Sequence, residues 1–484
     1  MKKNLSLLAA TTAVTAFAAL PAVGPDYTLP VVDAPGAYRD IAADSQIAWK
    51  TAQPSDDVVR GEWWKLFGDD TLSELQDQAL AANQDLRAAA ARVDQARASA
   101  GFARSAGWPQ IAGNPSLTRE RTSTTTDNVF PDSLANTYRA PLVASWEIDL
   151  FGRVRRLSES ARAEADASAA TLESVRLSLT AEIAANYFSY RGVERELGLL
   201  RETAALRRRA LDLVSARFRS GTAGEFDVVR AETELATAEA ETAALANRQS
   251  ALQNALSVLV GEPASRFTIA AAGRPTLNPP PIPAGLPAEL LERRPDIAAA
   301  ERTLAAANAR IGVAKAAFFP AISLAGGAGF ASGEVDRLFK SDSRLWSVGP
   351  SLYLPIFQGG RNRANLARSR AAYDESVAQF RGRVLVAFRE VQDALTATHF
   401  LDEQAAAQDR ALTAARRATA LAQTRYDAGF VAYLEVIDAQ RTSLAVERAS
   451  AQLTALRLNA SVALIKSLGG GWRNPFSDAV LAQK

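Results

Sequence analysis

The chain carries one pattern twice, and this duplication limits its fold more than any other feature. NQDLRAAAARVDQARASAGFARSAGWPQI at 83–111 matches RPDIAAAERTLAAANARIGVAKAAFFPAI at 294–322. In each, an acid (Asp85, Asp296) precedes an Ala-rich stretch that ends at an aromatic–proline pair, Trp108-Pro109 or Phe319-Pro320. Proline stops a helix because it has no N–H to donate and its ring restricts the preceding residue. Next, IDLFGRVR (148–155) matches LPIFQGGRNR (354–363), and RFRSGTAGEFDVVRAE (217–232) matches RYDAGFVAYLEVIDAQ (425–440). The order is the same in both halves, and the offset is about 210 residues throughout. A whole structural unit is duplicated, and two copies are too few for a solenoid.

Each half reads helix, two strands, very long helix, turn, helix. The first repeat covers 71–275, with a β-hairpin near 109–150 and a tip near 217–228. The second covers 276–471, with a hairpin near 320–357 and a tip near 425–436. An extended segment, 23–70, precedes them and a tail, 472–484, follows. In APLVASWEIDL, Ala140, Leu142, Ala144, Trp146, Ile148 and Leu150 alternate with Ser145, Glu147 and Asp149. In WSVGPSLYLPIF, Trp346, Val348, Leu352, Leu354 and Ile356 alternate with Ser347, Gly349 and Ser351. Period two with one apolar face predicts strands, four per chain. From Arg361 to about Tyr426 there is no Pro and one Gly, Gly382. About 65 residues at 1.5 Å each make a rod of roughly 100 Å. Its counterpart runs from about Val154 to Arg219. Tyr373, Val377, Phe380, Val384, Ala387 and Val391 step by four and three along the second rod, a heptad seam.

Lys and Arg number 55 against 53 Asp and Glu, so no basic field points to nucleic acid. There is no Cys and a single His, His399, which reads as an ordinary helix residue. Thiol catalysis, Cys-based metal sites and Ser–His chemistry are thereby excluded. No Gly-x-Ser-x-Gly elbow partners a His, and no metal-ligand cluster is visible. The expectation is no enzyme, no metal and no cofactor. MKKNLSLLAATTAVTAFAALPA reads as a cleaved secretory signal over residues 1–22, with Lys2 and Lys3 before an apolar core. No later stretch has the ~18 apolar residues of a membrane helix, so any membrane crossing must use strands. Four strands cannot close a membrane barrel, and open edges in lipid are prohibitive. They either form a small soluble sheet or pool across subunits, and a secreted chain with apolar hairpins favours pooling.

AVGPDYTLP (22–30), WWKLFGDDTLSEL (63–75), ERRPDIAAAERTLAAANARIGVAKAAFFPAISL (292–324) and SLGGGW (467–472) resemble the TolC family of outer-membrane channels. The similarity is to the branch that serves RND-type efflux pumps, and it runs over nearly the whole mature chain. That resemblance implies an α+β membrane protein. A homotrimer would share a twelve-stranded barrel in outer-membrane lipid, continuous with a periplasmic α-helical barrel. It implies an exit duct for drugs or other toxic small molecules, a periplasmic adaptor and an inner-membrane RND transporter as partners, and no nucleic acid. Pro21 stands where this branch often has a lipid-bearing Cys, so no lipidation is expected. The alternatives are a type I secretion channel and, from another class, a periplasmic coiled-coil scaffold without a pore.

The two turns lie at the ends of the rods away from the strands. Gly221 and Gly429 supply the positive φ a helix end needs. By resemblance these tips, Arg217, Ser220, Gly221, Thr222 and Arg425, Ala428, Gly429, Phe430, receive the adaptor. Arg217 and Arg425 could equally cap the helix ends. Glu435 and Asp438 share a helix face. Acids there complement the helix dipole. By resemblance, they and Asp227, which matches Glu435, ring the aperture, where six acids would draw cations and repel one another. Tyr426 matches the family tyrosine that bonds toward an Asp matched by Asp227. The Arg of that latch is missing, with Val431 in its place.

Overall fold

The computed structural model describes residues 22–32, 38, 62–121, 123, 134–269, 279, 280, 282 and 294–470. Outside them lie the expected leader up to Pro21, most of the extended segment 23–70, Arg293 and the tail 472–484. The chain is α+β. Helices α1 (Asp70–Ala82) and α2 (Gln84–Ser105) lead into β1 (Gln110–Gly113), β2 (Ser116–Arg121) and β3 (Leu134–Ile148). Helices α3 (Arg153–Arg219) and α4 (Glu225–Leu259) follow, then α5 (Pro295–Ala316), β4 (Ala321–Ser332) and β5 (Arg344–Tyr353). Helices α6 (Arg361–Asp427) and α7 (Tyr433–Ser467) complete the order. Both α3 and α6 have 67 residues, roughly 100 Å of unbroken helix.

The chain divides into two compact units, and the division falls inside α2, α3, α5 and α6. The first holds residues 22–32, Ala91–Ala169 and Ala299–Gly382, and with them the sheet. All strand pairs are antiparallel, in the order β1–β3–β4–β5, with β2 also on β3. The expectation of four strands needs correcting here. The first hairpin arm is split at Asn114-Pro115 into β1 and β2, because proline cannot donate to the ladder. The sheet is still four arms wide.

The register sorts the two faces. Leu142, Ala328 and Trp346 lie in one cross-strand row, followed by Ala144, Gly326 and Val348, then Trp146, Leu324 and Pro350, then Ile148, Ile322 and Leu352. The other face carries Val143, Gly327 and Ser347, then Ser145, Ala325 and Gly349, then Glu147, Ser323 and Ser351. One side is apolar and the other small and polar. The apolar side is not a core: Leu142, Trp346, Val348 and Leu352 are exposed by 60 to 77%.

In the same unit, residues 22–32 strap α5 to the start of α3. Val23 N–H donates to Phe151 O at 3.0 Å, Asn308 Nδ2 to Pro25 O at 3.0 Å, and Arg156 Nη2 to Asp26 Oδ1 at 2.7 Å. Gly24 and Gly312 touch so closely that a Cβ on Gly24 would sit 2.5 Å from Gly312 Cα.

The second unit comprises the described parts of Asp33–Ala90, Ala170–Ala298 and Arg383–Lys484. Its core is built by Trp63, Trp64 and Leu72 against Ile183, Tyr187 and Phe188 of α3, Leu256 of α4, and Leu458, Val462 and Ile465 of α7. Asp69 caps α1 by accepting from Leu72 N–H at 2.9 Å. Its other carboxylate oxygen accepts from Tyr187 Oη at 2.7 Å. Arg294 of the RRPDI motif is buried, ion-paired with Asp296 at 2.8 Å and Glu390 at 2.7 Å, and it donates to Ser467 O at 3.0 Å. It pins the starts of α5 to α6 and to the end of α7. Along the heptad seam of α6, Val384, Ala387 and Val391 are fully buried and Phe380 nearly so, while Tyr373 and Val377 are half-buried.

Candidate functional site: the helix–turn–helix tips

The two tips, both in the second unit, use the same backbone device. At the end of α3, Thr222 N–H donates to Arg217 O and Gly221 N–H to Phe218 O, each at 2.9 Å, with Gly221 at φ 75°. At the end of α6, Phe430 N–H donates to Arg425 O and Gly429 N–H to Tyr426 O, again at 2.9 Å, with Gly429 at φ 80°. This paired bond satisfies the last carbonyls of a helix and requires a left-handed residue. A Cβ at either glycine would meet nothing within 4 Å, so conformation alone selects glycine there.

The turns differ in chemistry. In the first, Ser220 Oγ and Thr222 Oγ1 donate to Arg217 O at 2.8 and 3.0 Å, giving a polar turn. In the second, Ala428 and Phe430 hold those positions, and Phe430 is 79% exposed. Val431 is half-buried and has no side-chain donor. Arg217 crosses from one tip to the other: its Nη1 donates to Tyr426 Oη, and its guanidinium lies 5.8 Å from that ring. The Tyr426 ring is 5.3 Å from Tyr433, whose hydroxyl pKa is pushed up by burial and by Tyr426. Asp227 is exposed in the first turn of α4.

Glu435 occupies the first turn of α7, where a negative charge complements the helix dipole. It faces Arg425 at 4.0 Å, and Asp438 faces Arg230 of α4 at 3.9 Å. Both acids are more than half exposed, so these pairs are weak.

Further from the tips lie charge clusters that periodicity alone did not disclose. Glu234 of α4, 7% exposed, is ion-paired with Arg207 of α3 at 3.1 Å and with Arg441 of α7. One heptad on, Arg448 of α7 sits between Glu196 of α3 at 3.5 Å and Glu241 of α4 at 2.7 Å. Gln452 Nε2 also donates to Glu196 at 2.9 Å. The Arg207 pKa is held down, first by burial and then by Arg441. A sequence signal existed: Glu234 precedes Arg441, and Glu241 precedes Arg448, by the same 207 residues. Within the hairpins, Arg208–Glu239 has an equivalent in Arg416–Glu447.

Among the described residues no group of His, Cys, Asp or Glu could hold a metal ion, and none of their helices is long and apolar enough to cross a membrane.

Comparison with known proteins agrees with this geometry. The family model for outer membrane efflux proteins matches residues 75–262 and 286–470. The chain is 36% identical over 450 residues to the solvent efflux pump outer membrane protein SrpC of Pseudomonas putida, covering 90% of this chain and 94% of SrpC. It is 37% identical over 414 residues to the outer membrane protein OprJ of Pseudomonas aeruginosa, covering 85% and 86%. It is 32% identical over 455 residues to the cation efflux system protein CusC of Escherichia coli, covering 93% and 96%. Among solved structures, the open state of the Neisseria gonorrhoeae MtrE outer membrane channel has a TM-score of 0.81 at 32% identity, covering 94% of this chain and 99% of that one. The outer-membrane channel OprN has a TM-score of 0.83 at 33% identity, covering 94% and 100%. The chain belongs to the outer membrane efflux protein family, the non-enzymatic outer-membrane ducts of efflux systems.

Proposed function

We propose that three copies of this chain close a twelve-stranded barrel in the outer membrane and carry their long helices into the periplasm as one tube. The tips then form its aperture, which a periplasmic adaptor receives and an inner-membrane RND transporter feeds. The observation that carries this is the sheet. It has two outer strands, β1 and β5, with no neighbour beyond them in the chain, and a fully apolar face with nothing packed on it. Such a sheet survives in lipid only when its edges are paired. The equal order of elements in the two halves supports a duplicated unit spanning 71–275 and 276–471, as do the twin turns and the equivalent ion pairs. Cargo differs between the relatives' names, organic solvent for SrpC and cations for CusC. That fits a wide duct whose pump selects the cargo, here drugs or other toxic small molecules.

At the tips, Arg217, Ser220, Gly221, Thr222, Arg425, Ala428, Gly429 and Phe430 are the adaptor contacts, with Phe430 the apolar anchor. Glu435, Asp438, Asp227 and Tyr426 line the aperture. The test is conductance of reconstituted trimers. Glu435→Ala with Asp438→Ala is expected to raise conductance or lower cation preference. If both stay at the wild-type value, the acids are dipole partners only.

A further inference from the structure

The polar contacts between the two helical hairpins, α3–α4 and α6–α7, fall into two levels of unequal strength. The level at the tips consists of the Arg217–Tyr426 bond and the Arg230–Asp438 pair at 3.9 Å. Arg217 and Asp438 are exposed, so water screens and competes with both contacts. The deeper level consists of two triads, each drawn from α3, α4 and α7. One is Arg207–Glu234–Arg441 and the other Glu196–Arg448–Glu241. Their central or flanking acids, Glu234 and Glu196, are only 7% and 3% exposed. The triads carry opposite excess charge and lie one heptad apart, so each also attracts the other. Between them, Leu444 of α7 packs on the buried cluster of Val193, Leu197, Leu200 and Leu245. Parting α7 from α3 and α4 at this depth would strand buried carboxylates without partners, whereas parting it at the tip exposes little that is not already wet. On the tip side of the first triad, a cavity of about 20 Å³, room for one water, lies among Arg207, Ala231, Glu234, Tyr433 and Ile437, so packing there is already looser.

We infer that the paired charge triads are the hinge of the aperture: α7 stays clamped to α3 and α4 at Glu234, Glu241 and Glu196 while only the turns beyond them part. The inference rests on the gated-duct proposal above. It identifies how far opening travels, about ten residues of α4 and α7 from each turn, or roughly 15 Å of helix.

The chain has no cysteine, so a short bismaleimide joins only introduced pairs. Two double variants decide the matter, each expressed as the only such channel in an efflux-dependent strain. Cross-linking Glu241→Cys to Arg448→Cys ties the hinge and should leave drug resistance within two-fold of wild type. Cross-linking Arg230→Cys to Asp438→Cys ties the moving tip and should reduce resistance to that of a strain lacking the channel. Loss of resistance with the first pair, or full resistance with the second, overturns the hinge. Independently, Arg441→Met with Arg448→Met should raise single-channel conductance of purified protein at least two-fold, because parting then extends deeper. Unchanged conductance also overturns it. Failure of the wild-type protein to conduct in the same bilayers counts against the duct itself, and so is distinguishable.

Discussion

At the residue scale, glycines at helix ends serve two different purposes. Gly429 has φ 80° and open space around a would-be Cβ, so Gly429→Ala meets only the left-handed penalty of about 1–2 kcal/mol. Gly261, with φ 78°, closes α4 in the same way, but a Cβ there would lie 2.7 Å from the backbone oxygen of Ala82. Gly261→Ala should therefore destabilise by about 2–4 kcal/mol, the strain plus a backbone shift. Thermal unfolding in detergent, followed by fluorescence of the buried Trp63 and Trp64, should rank Gly261→Ala well below Gly429→Ala. Asp296 gives a second test. Burial would raise its pKa, but the bonds and charge of Arg294 outweigh that and hold it below the ordinary 3.8. A depressed carboxyl pKa contributes stability above the unfolded value, and the contribution is lost as pH falls through the folded value. Asp296→Asn should cost about 2 kcal/mol at neutral pH, less than a fully broken buried pair because Glu390 still holds Arg294. The variant's deficit should shrink as pH drops below about 4. A deficit constant from pH 7 to 3 would contradict the assignment.

At the scale of elements, the long helices and the strand faces were legible because each follows one period over many residues. The absence of Pro through Arg153–Arg219 and Arg361–Asp427 leaves nothing to break either rod. Alternation in β3 and β5 foretells the apolar face that the register then assembles row by row. The split at Pro115 was written in the sequence too, but it sits in an arm without alternation. The tips were legible as turns, since a glycine between two helical runs has one common use. Their partners were not: Arg217 reaches Tyr426 across 209 residues, and Arg441 reaches Glu234 across 207. Such contacts depend on which hairpins adjoin, and local periodicity carries no information about that. The docking of α1 on α3 is likewise tertiary. Tyr187, fully buried, donates to the α1 cap Asp69 and accepts from Arg191 Nε at 2.9 Å. Tyr187→Phe leaves both partners short of a bond and should destabilise by about 1–3 kcal/mol, with faster proteolysis near α1 as the local readout.

At the scale of the whole molecule, the decisive property is that the two faces of one sheet meet different surroundings in the proposed trimer. In one chain, Ser347 and Val348 are neighbours on β5 and both are exposed. In the assembled barrel they part company. Val348 shares its row with Ala144 and Gly326 on the apolar face, and Ser347 shares its row with Val143 and Gly327 on the opposite face. If the apolar rows face lipid, Val348→Arg puts a charge into hydrocarbon at about 2–4 kcal/mol per chain near the midplane. Assembly places three such charges in one barrel, so the penalty is roughly 6–12 kcal/mol per trimer. Ser347→Arg puts the same side chain into a wet lumen, where its charge stays hydrated. A soluble scaffold predicts no difference, since both positions then face water. Outer membranes from cells making each variant, run unheated on denaturing gels, separate the two cases. Ser347→Arg should band as a heat-resistant trimer like the wild type, and Val348→Arg should be missing from the membrane or appear only as monomer. Equal trimer yield from both would mean that this face does not meet lipid, and the barrel would have to be abandoned with it.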